Sequence, residues 1–171
     1  MRINLVCLEN SLIAGGFRRI ASFIASLNPD VNNYYISTHS HQNPLRLLLR
    51  KKDEALFALD QKTIRKISEV LAQADIICLS SMSSHAEMAK KIFKEIKLIN
   101  PKAFLMWGGV HTIMNPEDAI PHVDAICTGE GELAFEEFYK NYTNDKDYFK
   151  TKNFWFRKNG EIIRNDFRPL A

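Results

Sequence analysis

Short apolar runs alternate with amphipathic helical patterns five times along this chain. The apolar runs lie at residues 3–8, 33–37, 75–79, 104–107 and 124–127. Runs of this length without strict alternation are typical of strands that are buried on both faces of a sheet. The alternation therefore predicts an α/β fold, a doubly wound parallel sheet of five strands with helices on both faces, in a Rossmann-like or flavodoxin-like topology.

The segments between the runs carry apolar residues at three- and four-residue spacing, which predicts helices. One helix begins near Gly15, and another follows Ser84 and Glu87, whose spacing fits a capping box. Two helical pieces lie between the second and third runs, which is more than one crossover needs. We therefore predict a helical insertion at about residues 44–73.

The pattern changes after Thr143. Two runs of β-forming residues, 154–157 and 161–164, flank Asn159-Gly160, and this dipeptide between such runs is the strongest short-range signal for a hairpin. We expect residues 1–143 to form one α/β domain, and residues 144–171 to form a linker with a C-terminal β-hairpin appendage.

Length, composition and charge exclude several classes of protein. The 171 residues suit one domain with a full core, and 46% hydrophobic with 25% charged residues is ordinary for a globular protein. A formal charge of +3 is too small and too scattered to indicate nucleic acid. No apolar run approaches the roughly 18 residues that span a bilayer, and the N-terminus lacks a signal-peptide pattern. We expect a cytoplasmic protein without nucleic-acid or membrane partners.

Cysteine spacing indicates free thiols. Cys7, Cys78 and Cys127 each fall near the end of a predicted strand, and no two have the C-x-x-C spacing. An odd count without paired spacing does not favour a disulfide framework, so we expect buried thiols that pack as small hydrophobic side chains. A three-cysteine metal site at the sheet edge is a weaker alternative.

Glycines and small polar residues follow four of the predicted strands. Loops after parallel strands share the carboxyl edge of the sheet, where ligands bind in this class of fold. Two adjacent glycines at this edge also allow close approach of a backbone or a flat ligand. The candidate site residues are Glu9, Asn10, Ser11, Leu12, Ser80, Ser81, Ser83, Gly108, Gly109, Val110, His111, Thr112, Gly129, Glu130, Gly131 and Glu132.

Several ligand classes do not suit this edge. The dinucleotide fingerprint G-x-G-x-x-G and the Walker loop are both missing from the sequence. Ser80 stands where a phospho-acceptor domain would need an aspartate, and Glu130 and Glu132 would repel a phosphate at the fifth helix. A Ser-His-Asp triad cannot be assigned from spacing. A ligand with amide and hydroxyl donors and a broad apolar face fits better.

Three consecutive segments carry a family resemblance. Residues 108–112, 115–119 and 123–132, which end in Gly-Glu-Gly-Glu, resemble the cobalamin-binding domain that precedes the catalytic domain in many radical SAM enzymes. The resemblance covers residues 75–142, and residues 1–74 match in outline. It implies that the candidate site residues bind cobalamin, with the serines beside its nucleotide tail. It also implies that the chain presents cobalt for methyl transfer or related radical chemistry.

Two departures qualify the resemblance. The first loop lacks the cobalt-ligating histidine of the D-x-H-x-x-G motif, which implies a cobalt without a protein imidazole below it. The three-cysteine motif C-x-x-x-C-x-x-C is also missing, so the resemblance assigns S-adenosylmethionine and the iron–sulfur cluster to a C-terminal radical SAM domain outside this chain. By itself the chain is then not catalytic.

Two alternatives stay open at this point. One is a non-catalytic α/β module that has lost cofactor binding and serves protein interaction or regulation. The other is a small enzyme that uses another nucleotide-like cofactor.

Overall fold

A computed structural model describes residues 1–8, 14–37 and 59–169, and in them one mixed sheet has the strand order β2-β1-β3-β4-β5-β6-β7. The first five strands run parallel, whereas β6 is antiparallel to β5 and β7 is antiparallel to β6. The strands are β1 (Ile3–Cys7), β2 (Val31–Tyr35), β3 (Ile76–Ser80), β4 (Phe104–Gly108), β5 (Ala125–Cys127), β6 (Phe154–Lys158) and β7 (Glu161–Arg164).

Helices cover both faces of the sheet. They are α1 (Gly15–Leu27), α2 (Gln61–Leu71), α3 (Ala86–Ile99), α4 (Val110–Met114), α5 (Pro116–Ala119) and α6 (Glu132–Thr143), with 3₁₀ turns at Ser83–His85 and Ile120–His122. One core cluster joins α2, α3 and α5 to the sheet, and a second joins α1 and α6 to its other face. None of the helices in these ranges is long and apolar enough to cross a membrane.

Strand β4 shows why the apolar runs form the centre of the sheet. Leu105 and Trp107 point into the cluster under α2 and α3, while Met106 points into the cluster under α1 and α6. All three are at most 3% exposed. Burial of such a side chain contributes about 1.5–3 kcal/mol, so a run of them stabilises a strand that has helices on both faces. The predicted α/β fold with five parallel strands is confirmed.

Strand β2 lies two residues earlier than predicted. It pairs with β1 from Ile3 opposite Val31, and Asn32 Nδ2 donates to Asn4 Oδ1 over 3.2 Å. As an edge strand it leaves Asn32 and Asn33 exposed, so polar residues are tolerated in this strand.

The second helical piece of the predicted insertion is present as α2, in which Ile64 and Leu71 enter the core and Arg65 pairs with Glu95 of α3 at 3.1 Å. The insertion as a whole stays a prediction. The first part of the predicted insertion, residues 44–58, lies outside the described residues. The capping-box prediction is wrong, because a 3₁₀ turn precedes α3 and its N-cap, His85, makes no side-chain cap bond.

Strands β6 and β7 extend the same sheet beyond β5 in antiparallel orientation, so the predicted hairpin is part of the sheet. Phe156 lies opposite Ala125 of β5, and Phe154 lies opposite Cys127. The connection between the two strands has φ 51° at Asn159 and 87° at Gly160, and positive φ at both central residues matches the right-handed twist of a two-residue hairpin.

Candidate functional site

A cleft of about 430 Å³ opens at the carboxyl ends of β3, β4 and β5, between α1 and α6. Its floor includes Cys78, Met106 and Cys127, and its walls include Phe17 of α1 and Phe135 of α6. Small and polar groups surround the mouth, so the cleft has an apolar interior below a polar rim. Such a shape suits a flat apolar ring that is attached to a polar chain.

Seven of the predicted site residues line this cleft, and they come from three separate loops. They are Ser80, Gly108, Gly109, Val110, Gly129, Gly131 and Glu132. Ser81, Ser83, His111, Thr112 and Glu130 do not line it. Glu9, Asn10, Ser11 and Leu12 lie outside the described residues.

The two adjacent glycines have different surroundings. A Cβ on Gly109 would lie 2.7 Å from the Ser81 carbonyl oxygen and 2.8 Å from Ser80 Oγ, and Gly109 has φ 95°. A Cβ on Gly108 would meet only Cys127 Cβ, at 3.8 Å. Gly109 therefore lets two loops pack together, whereas Gly108 leaves space toward the cleft.

A buried network on the other face of the sheet holds these loops together. Trp107 Nε1 donates to Ser81 Oγ over 2.9 Å, and the His111 amide donates to the Ser81 carbonyl over 3.2 Å. The His111 ring packs on Trp107 with centroids 4.8 Å apart, and its Nδ1 lies 3.4 Å from Ser83 Oγ. His111 is 4% exposed, so it stabilises the loops and does not reach the cleft.

Asp118 completes this network and its charge is fixed by Lys90. His111 Nε2 lies 3.0 Å from Asp118 Oδ2, and Lys90 Nζ lies 2.9 Å from the same carboxylate and 2.8 Å from Glu87. The hydrogen bond from Lys90 lowers the pKa of Asp118, and the bonds to Asp118 and Glu87 raise the pKa of Lys90. The ionised carboxylate is therefore an acceptor that orients the imidazole.

Thr112 ties α4 to the end of β5. Its hydroxyl lies 2.6 Å from the Cys127 carbonyl oxygen and 3.0 Å from that of Gly109, and the residue is fully buried. The hydroxyl thus connects the glycine loop to the strand that forms the next part of the cleft rim.

The thiols on the cleft floor are neutral at physiological pH. Cys78 Sγ lies 3.7 Å from Met106 Sδ, and Cys127 Sγ lies 3.3 Å from the Gly129 carbonyl oxygen. Burial raises the pKa of Cys78 far above its usual range and raises the pKa of Cys127 to about 11. Protonated thiols form an apolar surface and are poor nucleophiles and metal ligands. Among the described residues, no group of His, Cys, Asp or Glu could hold a metal ion.

A second, larger groove of about 880 Å³ adjoins the cleft and shares Gly129 and Glu132 with it. It is lined by Arg19 and Phe23 of α1, Leu133 of α6 and residues 167–169. Arg19 pairs with Glu132 at 2.9 Å, so an ion pair between α1 and α6 lies where the groove meets the cleft.

Sequence reasoning missed two contributions to this site. The apolar stripe of α1, including Phe17 and Ile20, forms a cleft wall, although the same spacing is fully explained by core packing. Asn153 donates from Nδ2 to the Glu130 carbonyl oxygen over 2.9 Å and so supports the loop before α6. No local pattern indicates that contact, because 23 residues separate its partners.

A family model and two curated relatives match this chain. The model of the B12 binding domain family matches residues 53–139, about half of the chain. An uncharacterised methyltransferase of Pyrococcus horikoshii is 25% identical over 140 residues, which is 80% of this chain and 29% of that protein. TokK of Streptomyces tokunonensis, a cobalamin-dependent radical SAM methyltransferase, is 25% identical over 104 residues, which is 58% of this chain and 15% of TokK.

Two solved structures share the fold. OxsB, a cobalamin-dependent S-adenosylmethionine radical enzyme with aqua-cobalamin and S-adenosylmethionine bound, gives a TM-score of 0.70 at 18% identity over 99% of this chain and 22% of OxsB. TsrM from Kitasatospora setae, a radical S-adenosylmethionine methyltransferase with cobalamin and a [4Fe-4S] cluster bound, gives 0.68 at 11% identity over 99% of this chain and 30% of TsrM. The chain spans less than a third of each of these relatives.

Proposed function

The chain belongs to the B12 binding domain family, and on that premise we propose that it holds cobalamin at the carboxyl edge of its sheet for a radical SAM catalytic domain. The observation that carries the proposal is the cleft that descends from this edge between α1 and α6. Segments at 14–24, 78–82, 106–110 and 127–135, together with Leu5 and Phe154, converge on it, and such convergence suits a binding site for a large cofactor.

The residues of the cleft fit the nucleotide tail of cobalamin, a benzimidazole on a ribose and a phosphate. A volume of about 430 Å³ is within the usual range for small ligands, but it is too small for the whole cofactor. Met106, Phe135 and the neutral thiols would contact the flat base. Ser80 at the rim would bond the polar part of the tail, and Gly108 would leave room for it.

Other residues would act indirectly. Ser81, His111 and Thr112 hold the loops that form the rim, through the contacts described above. Bound cobalamin supplies a cobalt centre that carries a methyl group, and the substrate that receives the group would be bound elsewhere in the protein. The methyl transfer itself, S-adenosylmethionine and the iron–sulfur cluster belong to the proposed catalytic domain.

No histidine among the described residues lines the cleft. His85, His111 and His122 do not line it. We therefore expect cobalt without a protein nitrogen ligand, and the EPR spectrum of the Co(II) form tests this directly. Nitrogen hyperfine splitting that disappears in a histidine variant would contradict it.

The proposed partner is a radical SAM domain of the same protein. The names of TokK and OxsB describe cobalamin-dependent radical enzymes that are much longer than this chain, which supports the proposal. In this arrangement residues 1–143 and the hairpin β6–β7, which completes their sheet, form the cofactor module, and the residues after β7 lead toward the catalytic domain. No disulfide joins the cysteines of the described residues, which suits a reducing compartment, and we propose a cytoplasmic location.

Retention of corrin tests the proposed function. The protein is incubated with hydroxocobalamin and desalted, and its visible spectrum is recorded. A Gly108→Leu variant should lose at least tenfold in affinity, because the new side chain fills the cleft. Gly15→Leu is the matched control, since Gly15 does not line the cleft and has open space around it. Circular dichroism checks that both variants fold.

Each outcome separates the candidate functions. If no corrin absorption stays with the wild type, cobalamin binding by this chain is refuted. Two alternatives then remain: a module that has lost cofactor binding, and a small enzyme that uses another nucleotide-like cofactor. Thermal shifts measured with adenine and flavin nucleotides distinguish them. If Gly108→Leu binds as tightly as Gly15→Leu, the cofactor does not enter the cleft.

A further inference from the structure

Asn153 is a buried residue with a left-handed backbone in the segment between α6 and β6. It is 3% exposed and has φ 67°. Its amide donates to the Asp166 carbonyl oxygen over 3.0 Å, and its carbonyl accepts from the Thr128 amide over 2.8 Å. Its Nδ2 donates to the Glu130 carbonyl over 2.9 Å, and its Oδ1 accepts from the Arg168 amide over 2.7 Å. Asn153 therefore forms hydrogen bonds with two segments that are distant from each other in sequence.

The first segment, residues 128–131, is the loop after β5. Gly129 and Gly131 of this loop line the cleft. A Cβ on Gly129 would lie 2.9 Å from the Asn153 side-chain amide, so the loop and the asparagine fit without spare space. The shape of this part of the cleft rim thus depends on Asn153.

The second segment, residues 166–168, follows β7. It is held by the bond from the Arg168 amide to Asn153 and by an ion pair between the Arg168 guanidinium and Glu137 of α6. Asn165, just before it, donates to the Phe149 and Phe154 carbonyls over 2.8 and 2.9 Å. The segment is therefore fixed against the side of the molecule that carries the cleft loop.

We propose that Asn153 is a positioning residue for the cofactor, which keeps residues 128–131 in the shape that receives the ligand and couples that shape to residues 166–168. The proposal rests on the proposed function, since the ligand is cobalamin. Coupling between two sites is reciprocal. Cofactor binding therefore stabilises the segment after β7, and release of that segment weakens cofactor binding.

Substitution by glycine isolates the side chain. Asn153→Gly retains a residue that accepts positive φ and removes the bonds to Glu130 and Arg168. We expect the Kd for hydroxocobalamin to rise about tenfold, equivalent to about 1.4 kcal/mol. Asn159→Gly is the matched control, because Asn159 has φ 51° in the exposed β6–β7 turn, away from the cleft. Its Kd should equal that of the wild type.

A double-mutant cycle tests the contact with the cleft loop. Gly129→Ala alone should weaken binding, because the new methyl group collides with the Asn153 amide. In the Asn153→Gly background the same alanine should have little further effect, so the two changes should be non-additive. Additive losses would mean that the residues act through different contacts.

Two measurements distinguish positioning from general stability. The Kd values are compared in buffer in which urea titrations show every variant to be fully folded, where lower stability alone leaves affinity unchanged. Amide exchange measured by NMR should also show the Arg168 amide exchanging more slowly when the wild type is saturated with hydroxocobalamin.

The possible results point to different conclusions. Unchanged affinity in folded Asn153→Gly overturns the positioning role while the proposed function stands. Unchanged Arg168 exchange on saturation overturns the coupling. Failure of the wild type to bind hydroxocobalamin refutes the proposed function, and this inference with it.

Discussion

Replacing Gly109 by alanine tests how tightly the loop after β3 packs on the loop after β4. Gly109 has φ 95° and ψ −172°, a backbone region that is essentially restricted to glycine. Its missing Cβ would lie 2.7 Å from the carbonyl oxygen and 2.8 Å from the amide nitrogen of Ser81, and 2.8 Å from Ser80 Oγ. These atoms belong to a buried part of the chain, so a methyl group there forces the loops apart.

Two costs add in this variant. The unfavourable backbone conformation costs about 1–3 kcal/mol, and overpacking costs about 1–3 kcal/mol more. We expect Gly109→Ala to lower the free energy of unfolding by about 2–6 kcal/mol, which is a large part of the stability of a typical domain. Gly160→Ala is the matched control, because Gly160 has φ 87° with no heavy atom within 4 Å of the added Cβ, and only the backbone cost applies.

Urea unfolding followed by tryptophan fluorescence measures the difference between the two variants. Trp107 is fully buried and Trp155 is partly buried, so both report on the core. The free energy of unfolding should fall with urea concentration at the same slope in both variants, so that the difference between their unfolding midpoints gives the difference in stability. If Gly109→Ala costs no more than Gly160→Ala, the close approach to Ser81 is not what requires glycine. Gly108→Ala should be nearly neutral for stability.

Three further predictions concern the residues around the glycine loop. Thr112→Val should lower the free energy of unfolding by about 1–3 kcal/mol in urea titrations, because buried carbonyls lose their donor; no loss would show that the hydroxyl is dispensable. Lys90 lowers the pKa of Asp118, so this stabilisation is complete above the ordinary value of 3.8 and is lost as pH falls through the lower folded-state value. The free energy of unfolding of the wild type, measured in urea, should therefore exceed that of Asp118→Asn by less as the pH is lowered. A difference that stays constant with pH would refute the stabilising interaction between Lys90 and Asp118. Because the pKa of Cys127 is raised to about 11, iodoacetamide at pH 8 should label it at least tenfold more slowly than a free cysteine peptide; equal rates would contradict the raised pKa.

The strands and the sheet edge at which the cleft opens could be predicted because they depend on local patterns. Leu105, Met106 and Trp107 place apolar side chains on both faces of β4. In a globular chain such a pattern is typical of a strand that is covered on both faces. The register of β2 could not be predicted, since it depends on the contact between Asn32 and Asn4 of β1, which lies 28 residues earlier in the chain. Edge strands tolerate polar residues, so the hydrophobic pattern is weak there.

The roles of individual site residues were less predictable than their position. The adjacent Gly108 and Gly109 look equivalent in sequence, but only their surroundings show that Gly109 packs against Ser81 and that Gly108 leaves space beside Cys127. His111 has a polar side chain at the sheet edge, yet the same loop can point it inward onto Trp107. Asn153 acts through partners that are remote in sequence, and no spacing rule identifies such contacts.

The antiparallel strands β6 and β7 also cover the edge of the sheet that β5 would otherwise expose. A protein truncated after residue 143 would expose the hydrogen-bonding groups of the three-residue strand β5 and remove Phe154 and Phe156 from the aromatic cluster around Phe138. Unpaired strand edges beside exposed aromatic rings promote association between molecules. The outermost described strand begins and ends with the exposed charged residues Glu161 and Arg164, and such charges discourage strand addition. Expression of the cofactor module as a monomer therefore requires the residues through β7.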